Sequence, residues 1–215
     1  MDGVAADSSG LTFACLGDSI TYGHGVQETR EKDAWPFLLQ KMLGEGVRVL
    51  NFGINGATAL RDTPDSYEAS GMFDRALGSG ADVFLLMLGT NDTKDRYWDA
   101  AQFYTDFRYL AQSILELRPK SLILLLPPKA FAGSSGVTAF GVSDERLSSG
   151  VVPAVRATAE EFGLDLIDLY SLTQDHPEYF LEGVHPNREG NAALAAHIAE
   201  ILKTNKNLSK SFKSI

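Results

Sequence analysis

A chain of 215 residues with 44% hydrophobic and 22% charged side chains can bury one substantial core, and its size fits a single domain. Nineteen basic against 28 acidic residues leave a formal net charge of −9, which argues against a general binder of phosphate backbones, so nucleic acid is not an expected partner. No stretch approaches the roughly 18 consecutive apolar residues of a membrane span, which argues against an integral membrane protein.

Residues 1–10 lack the basic and apolar regions of a secretory leader and are read as a flexible N-terminus. That favours the cytoplasm over export, although a mature form whose leader had been removed would read the same way. Residues 11–16 are the first short apolar run and are read as a strand; the lone Cys15 lies within it as a core residue. A helical pattern follows over 35–43, opened by Trp35-Pro36, where tryptophan beside a helix-starting proline suits packing. A second strand is predicted over 47–52, a short helix over 72–77, a third strand over 82–88 and a longer helix over 101–117. A fourth strand over 121–126 leads into a Gly- and Ser-rich connection, 127–150, that contains Phe131 and Phe140. Connections of that length are either binding elements or mobile crossovers. A helix over 151–162, a fifth strand over 164–169 and a final helix over 191–202 complete the domain, taken as 11–203. Residues 204–215 read as a polar tail.

Strands alternate with helices, and most are continuously apolar, as expected of strands covered on both faces. The pattern predicts a parallel α/β sheet, and right-handed crossovers make it a three-layer αβα sandwich. Ligands of such sheets gather beyond the carboxyl ends of the strands. Ser19 follows the first predicted strand, Gly56 the second and Asn91 the third, while His185 lies beyond the fifth. All four are therefore expected at one edge.

A serine hydroxyl is a poor nucleophile until a base takes its proton, so Ser19 in Gly17-Asp18-Ser19-Ile20-Thr21 needs an imidazole. His185, in Leu181-Glu182-Gly183-Val184-His185-Pro186-Asn187, is the candidate. Each residue also has a plainer reading: Ser19 as a helix cap, Gly56 as a loop glycine, Asn91 as an amide satisfying a turn. His24, between two glycines five residues after Ser19, is a substrate contact or an ordinary loop histidine. His197 shares a helical face with Leu194 and Ile201 and is read as a packed core-edge residue. No histidine or cysteine cluster offers zinc spacing, so no metal and no cofactor is expected.

Taken with Asn51-Phe52-Gly53-Ile54-Asn55-Gly56 and Gly89-Thr90-Asn91-Asp92, these segments resemble the SGNH (GDSL) hydrolase superfamily over nearly the whole chain. The resemblance implies a five-stranded parallel sheet in the flavodoxin-like order 2-1-3-4-5. It implies Ser19 as nucleophile, His185 as base, and an oxyanion hole built from the N–H groups of Ser19 and Gly56 and the Asn91 amide, with Gly53 competing for the Gly56 role. One position departs from the pattern. The family usually places an aspartate three residues before the histidine, and here that residue is Glu182. The extra methylene displaces the carboxylate by about 1 to 1.5 Å, and a misplacement of that size can cost about a hundredfold in rate. Three arrangements stay open: Glu182 orients His185, a backbone carbonyl does so and leaves a dyad, or another carboxylate such as Asp168 or Asp175 reaches in.

The local patterns look most like carbohydrate acetylesterase and sialate O-acetylesterase members. They imply hydrolysis of short acyl esters of a small molecule or glycan. Tyr97 and Trp98 follow the Asn91 block and either stack on a sugar ring or start the next helix. Alternatives are a lysophospholipase or thioesterase with an extended apolar groove, a non-catalytic glycan binder with a decayed triad, or a flavodoxin-type cofactor carrier.

Overall fold

The structure, a computed structural model, describes residues 10–205 and residue 208. The N-terminal segment read as flexible lies outside the described residues but for Gly10, as does most of the tail, although Leu208 is buried against the core. In chain order the elements are β1 (Leu11–Gly17), α1 (Ser19–Tyr22), a 3-10 segment (His24–Thr29), α2 (Arg30–Asp33), α3 (Trp35–Leu43), β2 (Val47–Gly53), α4 (Met72–Leu77) and β3 (Val83–Met87). They continue with α5 (Ala100–Leu115), β4 (Ser121–Leu126), α6 (Asp144–Arg146), α7 (Val152–Phe162), β5 (Asp165–Asp168), α8 (Leu169–Thr173), the hairpin β6 (Phe180–Leu181) and β7 (His185–Pro186), and α9 (Arg188–Thr204).

The five long strands form one parallel sheet in the order β2-β1-β3-β4-β5. Both faces are covered, and period-two alternation divides each strand between two cores. Phe84 and Leu86 of β3 and Leu122, Leu124 and Leu126 of β4 pack with Phe103, Phe107 and Leu110 of α5 and Val155 of α7. Val83, Leu85 and Met87, with Ile123 and Leu125, face Trp35 and Leu39 of α3 and Leu194, Ile198 and Leu202 of α9. Each such side chain contributes about 1.5–3 kcal/mol by leaving water. Trp35 is fully buried, and Cys15 is a free, buried thiol in the second core. His197 is half-buried on α9.

The structure adds short elements that the sequence does not predict: α1, the 3-10 segment, α2, α6, α8 and the β6–β7 hairpin are too short for hydrophobic periodicity to mark. The predicted elements themselves differ at their ends. The last helix begins at Arg188 because Asn187 caps it, its side chain accepting from the Gly190 N–H at 2.9 Å. The fifth strand stops at Asp168, whose carboxylate caps α8 by accepting from the Ser171 N–H at 2.8 Å. The 127–150 connection is tied down at several points. The Phe131 N–H donates to the Gly183 carbonyl at 2.8 Å, Asp144 accepts from Lys129 and from the Ala130 N–H, and the Ser143 N–H donates to Thr93 Oγ1 at 3.1 Å.

Candidate active site

The nucleophile candidate is presented by a sharp exit from β1. Asp18 is the N-cap of α1, its Oδ1 accepting from the Ile20 N–H at 2.9 Å, and this starts the helix at Ser19 directly beyond the sheet. Gly17 is needed for space, since a Cβ there would lie 2.2 Å from Thr21 Oγ1 and 2.6 Å from the Met87 carbonyl oxygen. Ser19 is buried, and its Oγ stands 3.1 Å from His185 Nε2. Burial pushes the neighbouring Asp18 carboxyl up to about 6.

The ends of β2 and β3 carry the opposite wall. Gly56 has φ 82° and open space around its missing Cβ, so glycine is required there by backbone conformation alone. Gly53 is a glycine for another reason: a Cβ would sit 2.2 Å from the Tyr22 nitrogen, where β2 packs on α1. Asn91 donates from Nδ2 to the Ala57 carbonyl at 3.0 Å, which leaves its second amide hydrogen uncommitted. The adjacent Asp92 is fully buried and accepts from the Ala59 N–H at 3.1 Å and the Leu60 N–H at 2.8 Å. Both side chains therefore fix the loop that holds Gly56. Burial raises the Asp92 carboxyl to about 7. The N–H groups of Ser19 and Gly56 have no hydrogen-bond partner among the described residues, and Ser19, Gly56 and Asn91 line a single cleft of ≈140 Å³.

The base candidate sits on a different support. β6 and β7 pair over two residues each, and the Val184 N–H closes the turn on the Leu181 carbonyl at 3.0 Å. Its central residues, Glu182 (φ 47°) and Gly183 (φ 78°), are both left-handed, the arrangement of a type I′ turn. For a glutamate that conformation costs about 1–2 kcal/mol. Glu182 Oε2 stands 3.5 Å from His185 Nδ1, and the glutamate side chain is 43% exposed. His185 Nδ1 itself is buried without hydrogen-bond geometry to any acceptor among the described residues, so the carboxylate stands at the outer limit of hydrogen-bond range and makes an ion pair only when the ring is protonated. Among the described residues no backbone carbonyl is hydrogen-bonded to that nitrogen. Asp168 is committed to Ser171 and to Arg156 at 2.5 Å, and Asp175 contacts Gln174 at 3.4 Å. Of the three carboxylates weighed from sequence, Glu182 is the one beside the ring.

Two aromatic neighbours press on His185. The His24 ring lies 4.4 Å away between centroids, and the Phe140 ring meets it edge-on at 4.8 Å. His24 comes this close because Gly25 packs on the Pro186 carbonyl, where a Cβ would be at 2.2 Å. Desolvation, then the nearby His24 and Lys94 charges, hold the His185 pKa below its ordinary 6.5, with Glu182 opposing. The imidazole is thereby kept in the form that accepts a proton.

Ser19, His24, Gly56, Asn91 and His185 thus meet in one cleft, with Glu182 behind the ring. Tyr97 and Trp98 do not reach it. The Tyr97 hydroxyl donates to Asp65 at 2.5 Å, and Trp98 packs over Gly150, where a Cβ would lie 2.3 Å from its ring. Sequence reasoning passed over Lys94, which lines the cleft three residues after Asn91 on the same turn, a spacing that was there to be read. It also passed over Asp92, whose role depends on the distant loop it grips.

An αβα sandwich with a five-stranded parallel sheet, carrying a serine, an imidazole and an uncommitted amide at its strand ends, defines a hydrolase of carboxylic esters. Residues 15–193 match the model of the GDSL-like Lipase/Acylhydrolase family, and the chain belongs to that family. It is 31% identical over 222 residues to an acetylxylan esterase from Xylanibacter ruminicola, a match covering 93% of this chain and 44% of that protein, so the chain spans less than half the length of that relative. Among solved structures, a putative arylesterase from Agrobacterium tumefaciens str. C58 is similar at 28% identity and TM-score 0.71, covering 89% of this chain and all of that one. A carbohydrate acetylesterase family member from Sinorhizobium meliloti shares the fold at 23% identity and TM-score 0.74, covering 93% and 99%.

Proposed function

We propose that the protein is a serine esterase that removes short acyl groups, acetyl foremost, from a carbohydrate. The observation that carries the reading is the size of the cleft at Ser19. Its ≈140 Å³ falls well below the roughly 300 Å³ at which pockets begin to hold drug-sized ligands, and its walls include Val142, Val184 and Phe140. A short acyl group fits there. Among the described residues the cleft adjoins a larger cavity bordered by Lys94, Asp95 and Arg96 and by Val137, Phe140 and Gly141, a mixed charged and apolar lining that suits the polar edges and apolar face of a sugar better than a long acyl chain. The relationship to an acetylxylan esterase supports the same direction.

In the mechanism, His185 Nε2 takes the proton of Ser19 Oγ, across the present 3.1 Å, as the oxygen bonds to the ester carbonyl carbon. The developing oxyanion is met by the Ser19 and Gly56 N–H groups and the free Asn91 amide hydrogen. The bond from carbonyl carbon to alcohol oxygen then breaks, and His185 returns the proton to that oxygen. Water, deprotonated by His185, bonds to the acyl carbon; the bond to Ser19 Oγ then breaks, His185 returns the proton to that oxygen, and the acid departs. Glu182 faces the imidazolium that forms at each step.

Initial rates on p-nitrophenyl acetate, butyrate, octanoate and palmitate, for wild type and Ser19→Ala, test the reading. Acetate is expected to be fastest, with loss of about 10⁴-fold or more in Ser19→Ala. Preference for octanoate or palmitate assigns the protein to longer acyl chains, and absence of turnover on every ester favours a glycan-binding role.

A further inference from the structure

Lys94 is the one charged side chain that borders both the Ser19 cleft and the adjoining cavity of ≈400 Å³, and Phe140 is the second residue they share. The outer cavity also includes Asp95, Arg96, Val137 and Gly141. Its other charges are already matched: Asp95 pairs with Arg146 at 2.6 Å, and Arg96 pairs with Asp65 at 3.1 Å while lying over the Tyr97 ring at 4.4 Å. Lys94 is half-buried, and its ammonium has neither an ion-pair nor a hydrogen-bond partner among the described residues. Asp18, Asp65 and Asp92 favour its charge from a distance, but none forms an ion pair with it. Asp65 pairs with Arg96, Asp92 accepts from two backbone N–H groups, and Asp18 accepts from the Ile20 N–H through Oδ1 while its Oδ2 is buried without a partner among the described residues. Burial and the like charge of Arg96 act against the ammonium and hold its pKa below the usual lysine range. A half-desolvated cation without a partner is costly, and a ligand anion placed there removes that cost.

We propose that the ≈400 Å³ cavity is the subsite for the alcohol portion of the ester and that Lys94 selects an anionic one, an acylated acidic sugar whose carboxylate pairs with its ammonium. This rests on the short-acyl esterase reading and deepens it by naming the substrate class. The two volumes set the direction: the acyl group occupies the inner cleft, so the leaving alcohol points past Lys94 and Phe140 into the outer cavity.

The test measures kcat/KM on three probes: p-nitrophenyl acetate, an O-acetylated methyl glucuronide, and the methyl glucoside acetylated at the same hydroxyl. Wild type is expected to favour the glucuronide over the glucoside by about ten- to a hundredfold, the range of a charge-assisted contact, with a preference that falls as salt rises. Lys94→Met is expected to abolish the preference and Lys94→Arg to restore most of it. Turnover of p-nitrophenyl acetate without discrimination between the two sugars by wild type overturns the anionic subsite and leaves the esterase reading standing. So does a wild-type preference that Lys94→Met retains. No turnover of any of the three overturns the esterase reading and this inference with it. Wild type alone decides the first comparison, so a variant that fails to fold does not remove the test.

Discussion

The two walls of the cleft are built differently. The oxyanion wall rises from the ends of β2 and β3, the two strands that flank β1 in the sheet, and its loop is clamped by buried side chains: Asn91 on the Ala57 carbonyl, Asp92 on the Ala59 and Leu60 N–H groups. The wall that carries the base is a hairpin of two-residue strands, with its carboxylate on a left-handed glutamate, 43% exposed and 3.5 Å from the ring. Preorganisation matters most where charge develops, because donors that must reorganise during the reaction stabilise it less. The imidazole needs orientation alone, and part of that comes from ring packing by His24 and Phe140.

This contrast can be broken at its rigid side first. Asn91→Ala is expected to lower kcat by about 10²- to 10³-fold with little change in KM, as for removal of one oxyanion donor; a change confined to KM would place Asn91 in substrate binding. At the adjustable side the effect is smaller. Glu182→Ala is expected to cost about ten- to a hundredfold in kcat, because the carboxylate lacks hydrogen-bond geometry in the resting structure and packing still holds the ring. Glu182→Asp is expected to keep activity within about tenfold, since aspartate tolerates the left-handed turn better. Wild-type kcat/KM for Glu182→Ala would remove Glu182 from the mechanism.

The smallest effect is on pH dependence. Charges on His24 and Lys94 oppose protonation of His185, Glu182 favours it, and burial opposes it most, so the acidic limb of kcat/KM is expected below pH 6.5. His24→Phe keeps an aromatic neighbour and removes one opposing charge. The limb should then move to higher pH, by less than a unit. A limb that stays in place, or moves down, would show that the charge of His24 does not act on the base.

Strand identity and the edge where the motifs converge were legible because each rests on local pattern or chain order, whereas the strand order came from the family resemblance, since periodicity does not say which strands pair. Continuous apolar runs mark β1, β3 and β4, and the alternation that divides their side chains between two cores follows from strand geometry. Ser19, Gly56, Asn91 and His185 were legible through motif resemblance together with their positions after strands. Element ends were less so, since the Asn187 and Asp168 caps compete with periodicity over single residues. Tyr97 and Trp98 were placed near the site by nearness in sequence, and the structure turns them to Asp65 and Gly150.

What the sequence determined by itself, then, was the sheet, its covered faces and the residue types brought to one edge, because backbone periodicity and chain order act locally. What only the tertiary structure decided was contact between segments far apart in the chain. It set which carboxylate stands behind His185, how His24 and Phe140 flank the ring, and that Lys94 lies between two cavities with no ion-pair partner among the described residues. Those relations depend on packing across the cleft, and no residue's neighbours in sequence report it.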